Sequence, residues 1–181
     1  HLKKKLSNPY ILYVGSIEER KNLIFLLKAM TQINHIKLIC IGKKTNYYKK
    51  VEKFISKHNL RDKIYFLNVN NTEKLSFLYR NSIGLVYPSI DEGFGIPIIE
   101  AMYSKIPVLI SDKKVFKEIG GKYAYYFQQN KIDSLIYQIN QISTQSDERN
   151  IRIEKNLNYV QKFNQQQQTQ KIIDLYKELI Q

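Results

Sequence analysis

Cysteine is almost missing from this chain: Cys40 stands alone among 181 residues. No disulfide can form within the chain, which fits a reducing compartment without proving one. Cys40 lies inside the apolar run Ile36-Lys37-Leu38-Ile39-Cys40-Ile41, which predicts a buried, inert thiol. Histidine is scarce as well. His1, His35 and His58 have no spacing that suits a metal site or a triad, and no Asp-x-Asp metal motif occurs. No apolar run approaches the roughly 18 residues that would suggest a membrane span. Leu2-Lys3-Lys4-Lys5-Leu6 is basic but no hydrophobic stretch follows it, so no signal peptide is expected. The first residue is His1 rather than Met, which reads as a piece of a longer protein or a tag remnant.

Acidic residues are also short, 16 against 29 basic, for a net charge of +13. Three partners would suit that charge: nucleic acid, an anionic membrane surface, or a phosphorylated small molecule. The basic residues are scattered in short groups such as Lys3-Lys4-Lys5, Lys43-Lys44, Lys49-Lys50 and Lys113-Lys114. That scatter favours a solvated surface over a nucleic-acid site, with attraction to anionic lipid headgroups as the next reading. A hydrophobic share of 43% and a charged share of 25% are those of a globular protein. The length suits one domain, and a domain near this size buries roughly 70% of its unfolded surface.

What the chain does have is alternation. Short apolar runs at 10–14, 37–41, 64–67, 84–87, 108–110 and 123–127 predict strands. Helix-length amphipathic stretches lie between them, at 22–32, 47–58, 72–79, 96–104, 114–119 and 131–142. Leu23, Leu26, Leu27 and Met30 have the spacing of one buried stripe. Asn71 or Thr72 is placed to cap the third helix, and Gly120-Gly121 to stop the fifth. This is the pattern of βαβ units around a parallel sheet of about six strands, a Rossmann-like three-layer α/β domain. The core spans about 9–142. A polar joint, Ser143-Thr144-Gln145-Ser146-Asp147, precedes C-terminal helices at about 147–180, the first running to about Phe163. A glutamine-rich junction, 164–169, then leads to a resumed stripe of Ile172, Ile173, Leu175, Tyr176 and Leu179. An open sheet of this kind binds ligands beyond the carboxyl ends of its strands. The loops after Val14, Ile41, Leu67 and Tyr87 therefore matter most.

The most informative of these is Asp91-Glu92-Gly93-Phe94-Gly95-Ile96-Pro97-Ile98-Ile99-Glu100-Ala101-Met102. A strand runs into a glycine-bracketed loop and then a helix with Pro97 in its first turn, where a missing N–H costs nothing. The amides of Gly93, Phe94, Gly95 and Ile96 are then free to grip ligand oxygens at a helix N-terminus. Glu92 stands before the turn and Glu100 one turn inside the helix. Two acids and a row of amides facing one crevice suit a polyhydroxylated, phosphorylated ligand. Two other patterns fail. Gly42-Lys43-Lys44-Thr45 lacks the upstream glycine of a P-loop, since Lys37 sits there. Gly93-Phe94-Gly95 lacks the third glycine of a dinucleotide fingerprint, since Ile98 takes that place.

This segment resembles the E-x7-E motif of retaining glycosyltransferases with the GT-B fold, in particular the large family-4 group. Tyr13-Val14-Gly15-Ser16-Ile17-Glu18-Glu19-Arg20-Lys21-Asn22 is similar to the strand, glycine turn and basic pair that hold the donor diphosphate in those enzymes. The two motifs keep their order, and the resemblance runs from about Tyr10 to Ile142.

It implies the nucleotide-sugar-binding, C-terminal half of a GT-B enzyme, whose own N-terminal acceptor domain is missing here. Gly15 lets the backbone turn beside a phosphate. Arg20 and Lys21 contact the diphosphate and offset charge growing on the leaving nucleotide; a helix start alone would disfavour such cations. Glu92 faces the transferred sugar. Gly93, Phe94, Gly95 and Ile96 add amides, and Glu100 takes the ribose hydroxyls. Asn68, Val69 and Asn70 lie where relatives recognise the base through backbone groups. Ser16 departs from the pattern, since many relatives carry Arg there, so a phosphate contact is lost or supplied elsewhere.

The implied reaction moves a hexose from a UDP-, GDP- or ADP-sugar to a glycan or lipid-linked acceptor, with no required cofactor and no metal. The implied setting is cytoplasmic, with peripheral contact at the inner face of an anionic membrane and no nucleic-acid partner. The rivals are a domain that binds a nucleotide or sugar without catalysis, a nucleic-acid-binding domain, and a hydrolase or epimerase on the same fold.

Overall fold

Each apolar run forms a strand. In a computed structural model that describes residues 9–164 they are β1 Tyr10–Val14, β2 Lys37–Ile41, β3 Ile64–Leu67, β4 Gly84–Tyr87, β5 Val108–Ser111 and β6 Tyr125–Phe127. The helices between them are α1 Leu23–Met30, α2 Tyr48–Lys57, α3 Thr72–Arg80, α4 Ile96–Tyr103, α5 Lys114–Gly120 and α6 Ile132–Ser143. After the polar joint comes α7 Asp147–Val160 and a 3-10 turn, Gln161–Phe163. The elements follow the order expected from the sequence, and the boundaries differ by a residue or two. β6 starts later than expected because Gly121, at φ 62, caps α5 and the chain keeps turning through Tyr123. Asn71, not Thr72, caps α3, its side chain accepting from the Lys74 amide at 3.0 Å. The junction from residue 165 and the stripe at 172–179 lie outside the described residues, as does Lys3-Lys4-Lys5.

All the strand pairs are parallel. Strands covered on both faces must be apolar on both, which is why they read as continuous runs rather than alternating ones. Along β1, Ile11 and Tyr13 join one core while Tyr10 and Leu12 join the other. The first core takes Leu23, Leu26, Leu27 and Met30 of α1, Val51 and Ile55 of α2, and Leu135 and Ile139 of α6. The second takes Leu78 of α3, Ile98, Ala101 and Met102 of α4, and Phe116 of α5, with Val160 of α7 joining them. The result is a helix–sheet–helix sandwich. Each fully buried leucine in it contributes on the order of 2 kcal/mol. Cys40 is 1% exposed, and burial pushes its thiol up, away from the reactive thiolate.

Strand order decides where a site can form. The sheet runs β3-β2-β1-β4-β5-β6. From β1 the chain winds outward to β3, then returns to β4 and winds the other way. An open sheet offers its ligand crevice at such a switch point, and the loops after β1 and β4 leave the carboxyl ends of the two adjacent strands there.

Beside that crevice the loops after β1 and β2 pack backbone on backbone. The Gly15 amide donates to Ile41 O and the Ile17 amide to Lys43 O, each at 2.9 Å. A Cβ added at Gly42 would stand 1.9 Å from the Gly15 carbonyl oxygen, so only glycine allows this approach. At Gly93 a Cβ would meet nothing within 4 Å. Gly42→Ala should therefore cost about 2 kcal/mol or more of stability, whereas Gly93→Ala stays within about 0.5 kcal/mol of the parent. Chemical unfolding of both variants checks this, and equal midpoints would refute the close-packed loop pair.

Candidate functional site

The loop after β1 turns through a 3-10 turn, Glu19–Lys21, before Asn22 takes a left-handed conformation at φ 53 and α1 begins. Arg20 and Lys21 thus lie just ahead of α1, not within its first turn. The carboxylate that offsets both charges comes from the loop after β4. Lys21 Nζ and Glu92 Oε1 form an ion pair, and Arg20 Nη1 lies 3.0 Å from Glu92 Oε2. The side chains of Lys21 and Glu92 are only 10% and 9% exposed, whereas that of Arg20 is 50% exposed. Lys21 Nζ also donates to the Tyr87 hydroxyl at 3.4 Å, and Gly15 packs over the lysine's aliphatic arm. Arg20 reaches back to Glu18 at 3.0 Å.

Burial pushes the Glu92 carboxyl up, but hydrogen bonds from Lys21 and Arg20, with their charges, outweigh it. The carboxyl is held below the usual carboxylate range. The Arg20 guanidinium is shifted up by its hydrogen bond to Glu92 and by that carboxylate's charge.

The second loop is pinned along its length. The Ile90 amide donates to Arg20 O at 2.7 Å, and Arg20 Nη1 to Asp91 O at 3.4 Å. From the far side Ser111 Oγ and Gln129 Nε2 both donate to Ser89 O, at 2.8 and 3.1 Å, and Lys113 Nζ donates to Ile90 O at 2.5 Å. Gly95, buried at φ 84, caps α4, and Pro97 occupies its first turn. A left-handed cap next to a packed neighbour is a glycine's task, since a Cβ there would meet Ile98 at 3.1 Å. Gly93 and Phe94 are exposed ahead of this cap, so amides around the α4 N-terminus are open to a ligand. Phe94 is 50% exposed and rests edge-on against Phe163, ring centres 5.8 Å apart.

Glu100 lies one turn into α4, outside the ion-pair cluster. Its Oε2 accepts from the Tyr79 hydroxyl at 2.7 Å, and it lines a recess with Thr72, Leu75, Ser76 and Ile99. The sequence-predicted residues thus fall into three groups: Gly15, Arg20, Lys21 and Glu92 in contact; Gly93, Phe94, Gly95 and Ile96 at the start of α4; and Glu100 paired with Tyr79. Asn68, Val69 and Asn70 line a cavity of about 560 Å³ with Gly42, Lys43 and Lys44. There Lys44 Nζ stacks over the Tyr48 ring at 3.9 Å.

The sequence set Gly42 and Lys44 aside with the failed P-loop pattern, and gave Tyr79 and Tyr87 no role in the site. Only Gly42-Lys43-Lys44, a glycine and two cations directly after a strand, carried a local signal. Buried tyrosines in apolar runs read as core. Among the described residues no group of His, Cys, Asp and Glu could hold a metal ion, and no helix is long and apolar enough to cross a membrane. Cations, helix-terminal amides and carboxylates around a cleft at strand ends can bind a phosphorylated, hydroxyl-rich molecule.

Comparison with known proteins points the same way. The family model for glycosyl transferases group 1 matches residues 1–159. The chain is 38% identical over 126 residues to the O-antigen chain mannosyltransferase RfbU of Salmonella typhimurium, covering 69% of this chain and 36% of that protein. It is 30% identical over 173 residues to the O-antigen chain mannosyltransferase B of Escherichia coli, covering 93% and 45%. The chain therefore spans less than half the length of either relative. Among solved structures it is similar in fold to HepE of Anabaena, crystallised in complex with UDP. The TM-score is 0.85 at 17% identity, over 98% of this chain and 51% of that one.

The ion-pair cluster has a pH signature. A carboxyl depressed in the folded state contributes stability fully present above its ordinary value of 4.5 and lost as pH falls through the lower folded value. Glu92→Gln should cost about 2 kcal/mol at neutral pH, discounted from a fully buried pair because Arg20 is half exposed. That cost should shrink as pH falls below 4.5. Urea midpoints of parent and variant between neutral and acid pH measure it, and a difference that does not change with pH would rule the linkage out.

Proposed function

The chain belongs to the group 1 glycosyl transferases, and from that premise we propose that it is the donor-binding half of a retaining hexosyltransferase. One observation carries the reading: Arg20 and Lys21 meet Glu92 at the crevice where the strand order reverses. The nucleotide lies along the carboxyl ends of β1 to β4, its diphosphate between the basic pair and the α4 N-terminus. Glu100 takes the ribose hydroxyls, and the base enters the cavity of about 560 Å³ beside Asn68, Val69 and Asn70. UDP in the HepE structure is consistent with a nucleoside diphosphate on this fold. Mannose is the first hexose to test, because relatives are named as mannosyltransferases; their names also support a glycan acceptor in O-antigen or related polysaccharide synthesis. The acceptor is held by a further domain of the whole protein.

Glu92 and the diphosphate draw on the same cations. Arg20, half exposed, is the group a phosphate reaches first, while the more enclosed Lys21 stays with Glu92. Once the phosphate takes part of the Arg20 charge, Glu92 Oε2 can accept from a sugar hydroxyl while Oε1 keeps Lys21. In transfer, the acceptor oxygen bonds to the anomeric carbon on the face the diphosphate leaves. The carbon–oxygen bond to phosphate breaks, its electron pair stays on the diphosphate, and the acceptor proton moves to a phosphate oxygen. Arg20 and Lys21 stabilise the charge that accumulates there, and the anomeric configuration is kept.

A thermal-shift panel of UDP, GDP and ADP, each with and without its hexose, tests the reading. One base should stabilise the chain, by about 5 to 10 °C at a hundredfold excess over its dissociation constant. Arg20→Ala and Lys21→Ala should each remove most of that shift. The 181-residue chain should transfer no sugar by itself. Silence across the whole panel would overturn donor binding, and transfer by this chain alone would overturn the division of labour.

A further inference from the structure

Glu100 depends on a residue far from it in sequence. Tyr79 sits at the end of α3, 1% exposed and packed with Leu78, Ile98 and Met102 in the second core. Its hydroxyl reaches the Glu100 carboxylate at 2.7 Å across the boundary between α3 and α4. The phenol cannot turn elsewhere, because its ring is locked by packing and a buried hydroxyl needs a partner. Glu100, by contrast, is partly exposed on a short helix and lines a recess open to solvent. Without a fixed donor its carboxylate would rotate freely toward water.

We propose that Tyr79 is a positioning residue for nucleotide binding: its buried hydroxyl holds Glu100 in the orientation that receives the two ribose hydroxyls. This rests on the reading of Glu100 given above and goes beyond it by assigning the residue that makes its geometry specific. A carboxylate has acceptor sites enough for a phenol and a vicinal diol together. Burial and the neighbouring carboxylate both push the Tyr79 phenol up, so it stays a donor throughout the neutral range.

The test compares ribose-dependent binding in the parent and Tyr79→Phe, on the whole chain, by calorimetry. The probes are UDP, GDP and ADP, each against its 2′,3′-dideoxy counterpart, using the pair whose base binds best. The parent should prefer the ribonucleotide by about tenfold or more, the worth of hydrogen bonds to a charged acceptor. Tyr79→Phe should lose most of that preference while its affinity for the dideoxy form changes less than about twofold. In a Glu100→Ala background, Tyr79→Phe should change the preference no further.

A variant that keeps the full preference, or that weakens both forms equally, overturns the positioning role. A parent with no ribose preference overturns the reading of Glu100 itself, which separates the two failures. Should Tyr79→Phe not fold, 3-fluorotyrosine at position 79 retains the hydroxyl and reports on it. Its fluorine resonance should shift with the ribonucleotide and not with the dideoxy form; a resonance that treats both alike overturns the proposal.

Discussion

One carboxylate between two cations joins the two loops on which the site depends. Glu92 comes from the loop after β4, and Arg20 and Lys21 from the loop after β1. Like charges on adjacent residues repel, and the enclosed Lys21 with no anion would be expensive to keep out of water. Glu92 removes that cost and fixes the spacing of the loops at once. A single backbone bond, Ile90 N to Arg20 O, reinforces the same junction. Because the loops leave adjacent parallel strands, the rigid sheet sets their separation and the ion pair sets their register.

The same arrangement keeps both cations paired. Arg20 and Lys21 are balanced by Glu92 and Glu18, and the partial positive charge of the α4 N-terminus lies beyond them. In the proposed anion site the cations are thus already paired at rest. On the proposed reading, a phosphate need not compensate bare cations, because it shares them with carboxylates already in place. The whole-chain charge of +13 contributes little to this geometry. It is scattered along the sequence, whereas Arg20, Lys21 and Glu92 are held at ion-pair distance.

Much of the fold was legible in the chain because each element carried its own local signal. The strand at 37–41 was marked by the apolar run Leu38-Ile39-Cys40-Ile41, all four buried, and α1 by the stripe of Leu23, Leu26, Leu27 and Met30, all 0% exposed. Asn71 capped α3 because a short side-chain acceptor before an amphipathic run has that one use. Boundaries slipped where a turn, not an apolar pattern, set the end, as at Tyr123. In the candidate site, Gly95 and Pro97 announced a loop entering a helix. The partnership of Glu92 with Arg20 and Lys21 did not appear, since the family resemblance implied separate contacts with phosphate and sugar. Tyr79 and Tyr87 gave no sign of being more than core.

The sequence by itself determined the alternation of strands and helices, the glycine-bounded turns, and the family whose motifs Arg20-Lys21 and Glu92 to Glu100 carry. These are written in local order, where periodicity and backbone preference act over a few residues. Only the tertiary structure decided that β1 lies beside β4, that Glu92 closes on two cations, and that a buried tyrosine on α3 holds Glu100. Such pairings are energies between side chains distant in the chain. They leave no repeat or propensity to read, and come into being only when packing the two cores fixes one strand order among several.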